Sequence, residues 1–153
     1  MNDEISWDCR HFDQLDSNEL YCILQLRTEV FVLEQDCVYQ DMDGMDQQAY
    51  HLSGTVDGQL RFYARLFPPG IKYPQASIGR VISSDAARGK GYGRALMNAA
   101  VENCMRLWPD KDIAISAQQH LEDFYQSVGF ETASEPYMED GIPHIQMRRN
   151  AHG

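Results

Sequence analysis

Three glycines at alternate positions, Gly89, Gly91 and Gly93, stand among three cations, Arg88, Lys90 and Arg94. The combination suits the binding of a phosphorylated ligand. Glycine has no Cβ to hold a ligand away from the backbone, and the first N–H groups of a helix have no intrahelical acceptor. An anion seated there also gains from the helix dipole and from the flanking cations. The surrounding stretch, residues 78–100, reads IGRVISSDAARGKGYGRALMNAA. Val81 and Ile82 suit a strand, while Leu96, Met97, Ala100 and Val101 recur at the spacing of one buried helix face. The glycines therefore fall on a strand-to-helix turn, which can cradle phosphate or can simply let the helix pack tightly on its strand. Neither GxxxxGK[ST] nor GxGxxG followed by an acidic residue at the right distance is present.

The elements that must position this turn can be read along the chain. Residues 5–12 alternate as a strand, and Asp16 followed by Glu19 makes a capping box before a helix whose buried face is Leu20, Ile23, Leu24, Leu26, Val30 and Phe31. Residues 34–48, EQDCVYQDMDGMDQQ, have no clear period and hold Glu34, Asp36, Asp41, Asp43 and Asp46. They read as a loop, either a solvated connector or a carrier of binding groups. Residues 50–56 and 59–67 form a hairpin through Asp57 and Gly58. Pro68, Pro69, Gly70 and Pro74 break the chain before a central strand at residues 77–82, and Pro109 ends the next helix near Trp108. Residues 113–115 form a short strand. Leu121, Phe124, Tyr125 and Val128 mark a helix stopped by Gly129, and strand-like residues 130–133 and 144–147 flank the turn-rich EPYMEDGIPH. The order predicts one α/β domain, a mixed, mainly antiparallel sheet flanked by helices with a parallel pair at its centre.

Composition narrows the partners. A chain of 153 residues with 43% hydrophobic content suffices for one core, and no internal repeat is visible. A formal net charge of −10 argues against nucleic acid and anionic membranes as partners, and it is compatible with a cationic substrate. The first residues, MNDEISWDC, lack the apolar run of a targeting peptide, and no stretch approaches transmembrane length, so a cytoplasmic protein, monomer or homodimer, is expected. Cys9, Cys22, Cys37 and Cys104 show no CxxC spacing, so neither a metal nor a disulfide framework is expected.

Residues 88–93, RGKGYG, resemble the Q/R-x-x-G-x-G/A motif of the GNAT N-acetyltransferases. A second stretch, QQHLEDFYQSVGF at residues 118–130, is similar to that family's N-x-x-A-x-x-x-Y-x-x-x-G-F segment. Gln118 stands at the Asn position and Leu121 at the Ala position, while Tyr125, Gly129 and Phe130 match. Together with RTEVFVLEQDCVYQD, IGRV and EDGIPHIQM, the chain from residue 20 to 147 looks like the ElaA-type branch of the family. The resemblance implies a single GNAT domain over residues 1–153 and direct transfer of an acetyl group from acetyl-CoA to the amine of a small molecule in a ternary complex. It also implies that acetyl-CoA is held by Val81 and Ile82, by Arg88, Gly89, Lys90, Gly91, Tyr92, Gly93 and Arg94, and by Gln118, Phe124 and Tyr125.

Such a reaction sets three tasks: the amine must be neutral, the tetrahedral oxyanion needs donors, and the departing thiolate benefits from a proton. Tyr125 is the candidate general acid, because a phenol stays protonated at neutral pH. Its helical position equally suits a ring in the core with a wet hydroxyl. Glu34 or His51 are candidates to relay the amine proton, with water as the alternative. Arg27, Gln35, Arg65, Arg80, Glu139 and His144 are candidates to contact the acceptor. The acids of residues 34–46, joined by Glu139 and Asp140, are expected to border the acceptor cleft and to favour a cationic or zwitterionic amine, with the arginines able to grip a carboxylate. Cys37 and Cys104 are weaker as acyl-carrying nucleophiles, having no His or acid partner placed by the sequence. An acyl-CoA sensor without turnover would use the glycine turn and leave Tyr125 idle, and a purely structural protein would bind no CoA.

Overall fold

Asp16 Oδ1 accepts from the Glu19 N–H at 2.8 Å while the Glu19 side chain accepts from the Asp16 N–H at 3.0 Å, the capping box that starts α1 (Ser17–Arg27). This computed structural model describes residues 4–36, 40–84 and 91–151, and α1 follows β1 (Ser6–His11). The helix does not stop at Arg27. A π-helical segment, Thr28–Glu34, continues it, a geometry that concentrates at functional sites. Apolar spacing alone does not separate a wider turn from an α turn, so the residue pattern does not reveal it.

β2 (Tyr50–Val56) and β3 (Gln59–Phe67) pair across Asp57 and Gly58, whose φ angles of 52° and 77° are the left-handed pair a two-residue hairpin turn requires. β4 (Ala76–Ser83) pairs antiparallel with β3 and is followed by α2 (Tyr92–Leu107), β5 (Ile113–Gln118) and the short α3 (Glu122–Ser127). β6 (Glu131–Thr132), β7 (Tyr137–Glu139) and β8 (Ile142–Arg149) close the chain. β7 lies inside the stretch read as a turn. Asp140 and Gly141 form its hairpin with β8 at φ 52° and 76°, the same dipeptide signal as Asp57 and Gly58.

The strands form one mainly antiparallel sheet in the order β1-β2-β3-β4-β5-β8-β6, with β7 pairing with β8. Alternation along β3 explains the layers, because successive side chains leave a strand on opposite faces. Phe62, Ala64 and Leu66 join the larger core with Leu96, Met97, Ala100 and Cys104 of α2. Tyr63 turns to the other face and packs with Ile82 and with Ile23, Leu26 and Val30 of the first helix. The sheet is thus covered on both sides. No helix among the described residues is long and apolar enough to cross a membrane.

Candidate active site

β4 and β5, the parallel pair, are in register only at Ala76 with Ile113 and Ser77 with Ala114. Beyond Ser77 they diverge. From Ile78 onward β4 pairs with β3 alone, so among the described residues its other backbone edge has no strand beside it in the middle of the sheet. Buried backbone polar groups require partners, and an unpaired edge at this position is suited to a ligand. Opposite Ala64 the β3 register shifts, placing both Arg80 and Val81 against one residue, and Arg80 takes φ 49°. This is a β-bulge, which bends a strand and re-aims its side chains.

A cleft of about 910 Å³ opens at the divergence. Ile78, Gly79, Arg80 and Val81 line it from β4, Gln118 from β5, and Tyr125 from α3. Tyr125 packs edge-on against Phe124 and Phe130, with centroids 5.2 and 6.2 Å away, and burial pushes its hydroxyl pKa up. The phenol therefore holds its proton at neutral pH. Gln35, Arg65, Glu139 and His144, expected to meet the acceptor, also line the cleft. Ile82 does not, since its side chain lies in the α1 cluster, and only its backbone is available to a ligand.

The glycine turn is partly described. Arg88, Gly89 and Lys90 lie outside the described residues. Gly91 caps α2 at φ 74°, a conformation that favours glycine, and a Cβ on Gly93 would lie 3.6 Å from the Phe124 ring. The first turn of α2 thus abuts α3 one residue away from Tyr125. Of the side chains expected at the cosubstrate, Tyr92 stands edge-on to Phe62 of β3 at 5.5 Å, and Phe124 faces Gly93 and Tyr125. Arg94 donates to the Ser127 carbonyl at 3.2 Å and to its hydroxyl at 3.0 Å, so its cation ties α2 to α3.

The acidic loop and the arginines correct the sequence reading most sharply. Arg27 is 0% exposed and lies outside the cleft lining. Its Nε donates to Asp41 at 2.7 Å and its Nη1 to Asp46 at 2.7 Å. Arg65 grips Asp43 with both Nη atoms, at 2.9 and 2.8 Å, and reaches Asp46 at 2.9 Å, while Arg80 Nε pairs with Asp41 at 3.1 Å. Cations and anions thus alternate from Arg80 through Asp41, Arg27, Asp46 and Arg65 to Asp43. Burial pushes the Asp43 carboxyl up, but the hydrogen bonds and charge of Arg65 outweigh it and hold the pKa at about 2. Asp46 is likewise held below its ordinary range by Arg27 and Arg65 against the effect of burial. Asp41, Asp43 and Asp46 thus neutralise interior arginines, because a buried guanidinium needs carboxylate partners, whereas Asp36 of the same loop lines the cleft as expected.

His51 belongs to the same interior. It is 0% exposed, and its Nε2 faces the Asp46 carbonyl at 3.0 Å, so Nε2 carries the proton and Nδ1 accepts from the Tyr63 hydroxyl at 2.6 Å. Burial, aided by Arg27 and Arg65, lowers its pKa. The expectation that His51 relays a proton from the acceptor is corrected accordingly. Glu34, at the end of the π-helical segment, also lies outside the cleft lining, whereas the next residue, Gln35, is on it. Cys104 is buried and burial pushes its thiol up, which removes it as a nucleophile; Cys37 lies outside the described residues.

Residues unmarked by the sequence complete the walls. Phe31 comes from the π-helical segment with the Arg80 guanidinium 4.9 Å above its ring, and Lys72 and Tyr73 come from the loop before β4. On the far wall Ser116 Oγ lies 2.5 Å from the Tyr137 hydroxyl and 3.4 Å from either Glu139 oxygen. His144 stacks on Tyr137 and its Nε2 is 3.3 Å from Glu139 Oε2. The β7–β8 hairpin carries three of these four groups, so missing β7 hid the cluster.

A family model for the acetyltransferase (GNAT) domain matches residues 16–151. Protein ElaA of Escherichia coli is 46% identical over 147 residues, 95% of this chain and 96% of that protein. Its crystal structure superposes with a TM-score of 0.90 at 44% identity, over 96% of this chain and 100% of the other. A crystal structure named as an acyl-CoA N-acyltransferase from Pseudomonas aeruginosa gives a TM-score of 0.91 at 49% identity, over 95% and 99% of the two chains.

Proposed function

The chain belongs to the GNAT acetyltransferase family, in its ElaA-like branch, and on that premise we propose that it moves the acetyl group of acetyl-CoA to the amine of a small molecule by direct transfer. The observation that carries this reading is the two-residue pairing of β4 with β5, which leaves the backbone edge at Gly79, Arg80 and Val81 on a cleft that Tyr125 also lines. A thioester seated along that edge has N–H donors within the sheet for its carbonyl, and such donors stabilise the tetrahedral oxyanion. Tyr125 supplies the proton that the CoA thiolate takes up. The first turn of α2, where Gly91 and Gly93 carry no Cβ to hold a ligand off the backbone, suits the phosphates. Lys72, Glu139 and Asp140 on the cleft lining fit an acceptor bearing both charges, such as an amino acid. A cytoplasmic setting accords with such a substrate.

The test is release of free CoA thiol from acetyl-CoA with a panel of n-butylamine, ethanolamine, β-alanine, lysine and glutamate. Amine-dependent release, with an acetylated amine as product, is the expected result. Acetyl-CoA binding without release for any amine would convert the reading to that of a sensor, and absence of binding would overturn it.

A further inference from the structure

We propose that His144 Nε2 takes the proton of the acceptor amine, with Glu139 holding the ammonium against it; this rests on the acyl-transfer reading above. The tautomer follows from a hydrogen bond. His144 Nδ1 lies 2.8 Å from the Ile142 carbonyl, which can only accept, so Nδ1 carries the proton and the Nε2 lone pair points elsewhere. That lone pair meets Glu139 Oε2 at 3.3 Å.

In the neutral imidazole, therefore, two acceptors face each other on the wall of the cleft. Glu139 is exposed and accepts from Ser116 Oγ, but the Nε2 lone pair of buried His144 needs a donor. A proton on Nε2 would satisfy it, and so would an N–H of a bound ammonium. His144 is held for this role: it is 7% exposed, stacked on Tyr137, and paired in register with Gln118 of β5. Ser116 and Tyr137 add oxygens beside Glu139, so an ammonium has several acceptors within one pocket. Tyr137 stacks on His144; the other titratable or charged groups of the cleft are Asp36, Arg65, Lys72, Tyr73, Arg80, Tyr125 and Asp140, and both Lys72 and Tyr73 feel the Glu139 charge.

The step balances. The ammonium passes one proton to Nε2, leaving an imidazolium beside the Glu139 carboxylate. The freed amine forms the C–N bond as the thioester C–S bond breaks, and the thiolate takes its proton from Tyr125. Solvent then collects the imidazolium proton and the second amine proton and restores the phenol. Glu34 and His51, which do not reach the cleft, have no part in it.

Two measurements test the proposal. In the first, the His144 imidazole is titrated by NMR, its signal assigned with His144→Gln, with and without n-butylamine as the ammonium probe. Protonation of His144 and ammonium binding exclude each other, so the probe should lower the titration midpoint, with a reciprocal loss of about tenfold in probe affinity on protonation. Tetramethylammonium, which has no N–H, and the Glu139→Gln variant should show no such coupling. In the second, His144→Gln should lower kcat/KM for the fastest amine of the panel about 100-fold or more at neutral pH. The deficit should shrink as pH approaches the amine's own pKa, where free amine arrives without help. No coupling in the first measurement, or a deficit independent of pH in the second, overturns the assignment. Coupling without CoA release for any amine overturns acyl transfer and leaves the ammonium pocket standing.

Discussion

Asp46 Oδ1 accepts from Arg27 Nη1 at 2.7 Å and from Arg65 Nη1 at 2.9 Å, so one buried oxygen joins the end of α1 to β3 and fixes the loop that carries it. Removing Arg27 would leave Asp41 with Arg80 and Asp46 with Arg65, and would take one positive charge out of a buried network. Arg27→Met should destabilise the fold by about 3–5 kcal/mol in urea unfolding, the range for breaking one partner of a buried ion pair. Arg27→Lys keeps the charge and loses the fork, and should fall between. A loss under about 1 kcal/mol for Arg27→Met would show that the loop relaxes and the acids regain water.

The same chain sets the acid limit of stability. Asp43 and Asp46 sit below their ordinary range when folded, so the unfolded chain takes up their protons first and stability falls with pH. Their contribution should be complete above about pH 4 and be lost as pH falls toward about 2, the value for Asp43. His51 acts higher. Its imidazole is held neutral by burial, so unfolding gains a proton beginning near the ordinary histidine value of about 6.5. Thermal melts across pH should therefore show an upper limb that His51→Gln removes and a lower limb that Asp43→Asn reduces. A single limb near pH 4 in the parent would contradict the His51 assignment.

Gly93 separates ligand binding from folding. A Cβ there meets the Phe124 ring at 3.6 Å, an ordinary contact, and alanine in a helix avoids the backbone freedom of glycine. Gly93→Ala should keep or raise stability, by up to about 1 kcal/mol, while weakening acetyl-CoA binding about tenfold or more. Gly91→Ala differs because φ is 74° there, and it should cost about 1–2 kcal/mol of stability as well. Parent-like acetyl-CoA affinity in Gly93→Ala, measured calorimetrically, would remove this turn from the binding site.

Tyr125→Phe retains the ring contacts with Phe124 and Phe130 and removes the hydroxyl. Turnover should fall about 10- to 1000-fold with little change in acetyl-CoA affinity, the pattern of a group that acts in the transition state. Unchanged turnover where chemistry limits the rate would exclude the phenol as proton donor.

The sequence made the scaffold legible where a local rule is strong. The Asp16–Glu19 box, the Asp57–Gly58 hairpin and the helix stop before Pro109 all stand where the residues place them. The acidic loop was illegible for a different reason. Pairing Asp43 with Arg65 spans 22 positions, and no local pattern reveals which charges meet in the interior. The same limit hid the exclusion of His51 and Arg27 from the cleft. Tyr125 and Gln118, which one sequence motif marks, line the cleft, whereas Ser116 and Tyr137 belong to no motif and come together only through the β7–β8 hairpin. That hairpin was detectable, since Asp140 and Gly141 repeat the dipeptide used at residues 57 and 58.

With only two residue pairs joining β4 to β5, the sheet has a seam: a four-strand meander on one side, and β5, β8 and their short neighbours on the other. The meander's strands are sequential antiparallel neighbours, with short connections between β2 and β3 and between β3 and β4, and such units form and open cooperatively. Amide hydrogen exchange should therefore resolve two protection levels, with β1 to β4 on one and β5 with β8 on the other. A ligand lying along the seam touches both sides at once. Acetyl-CoA should then bring the two levels together, making the occupied protein a single cooperative unit where the free one is two.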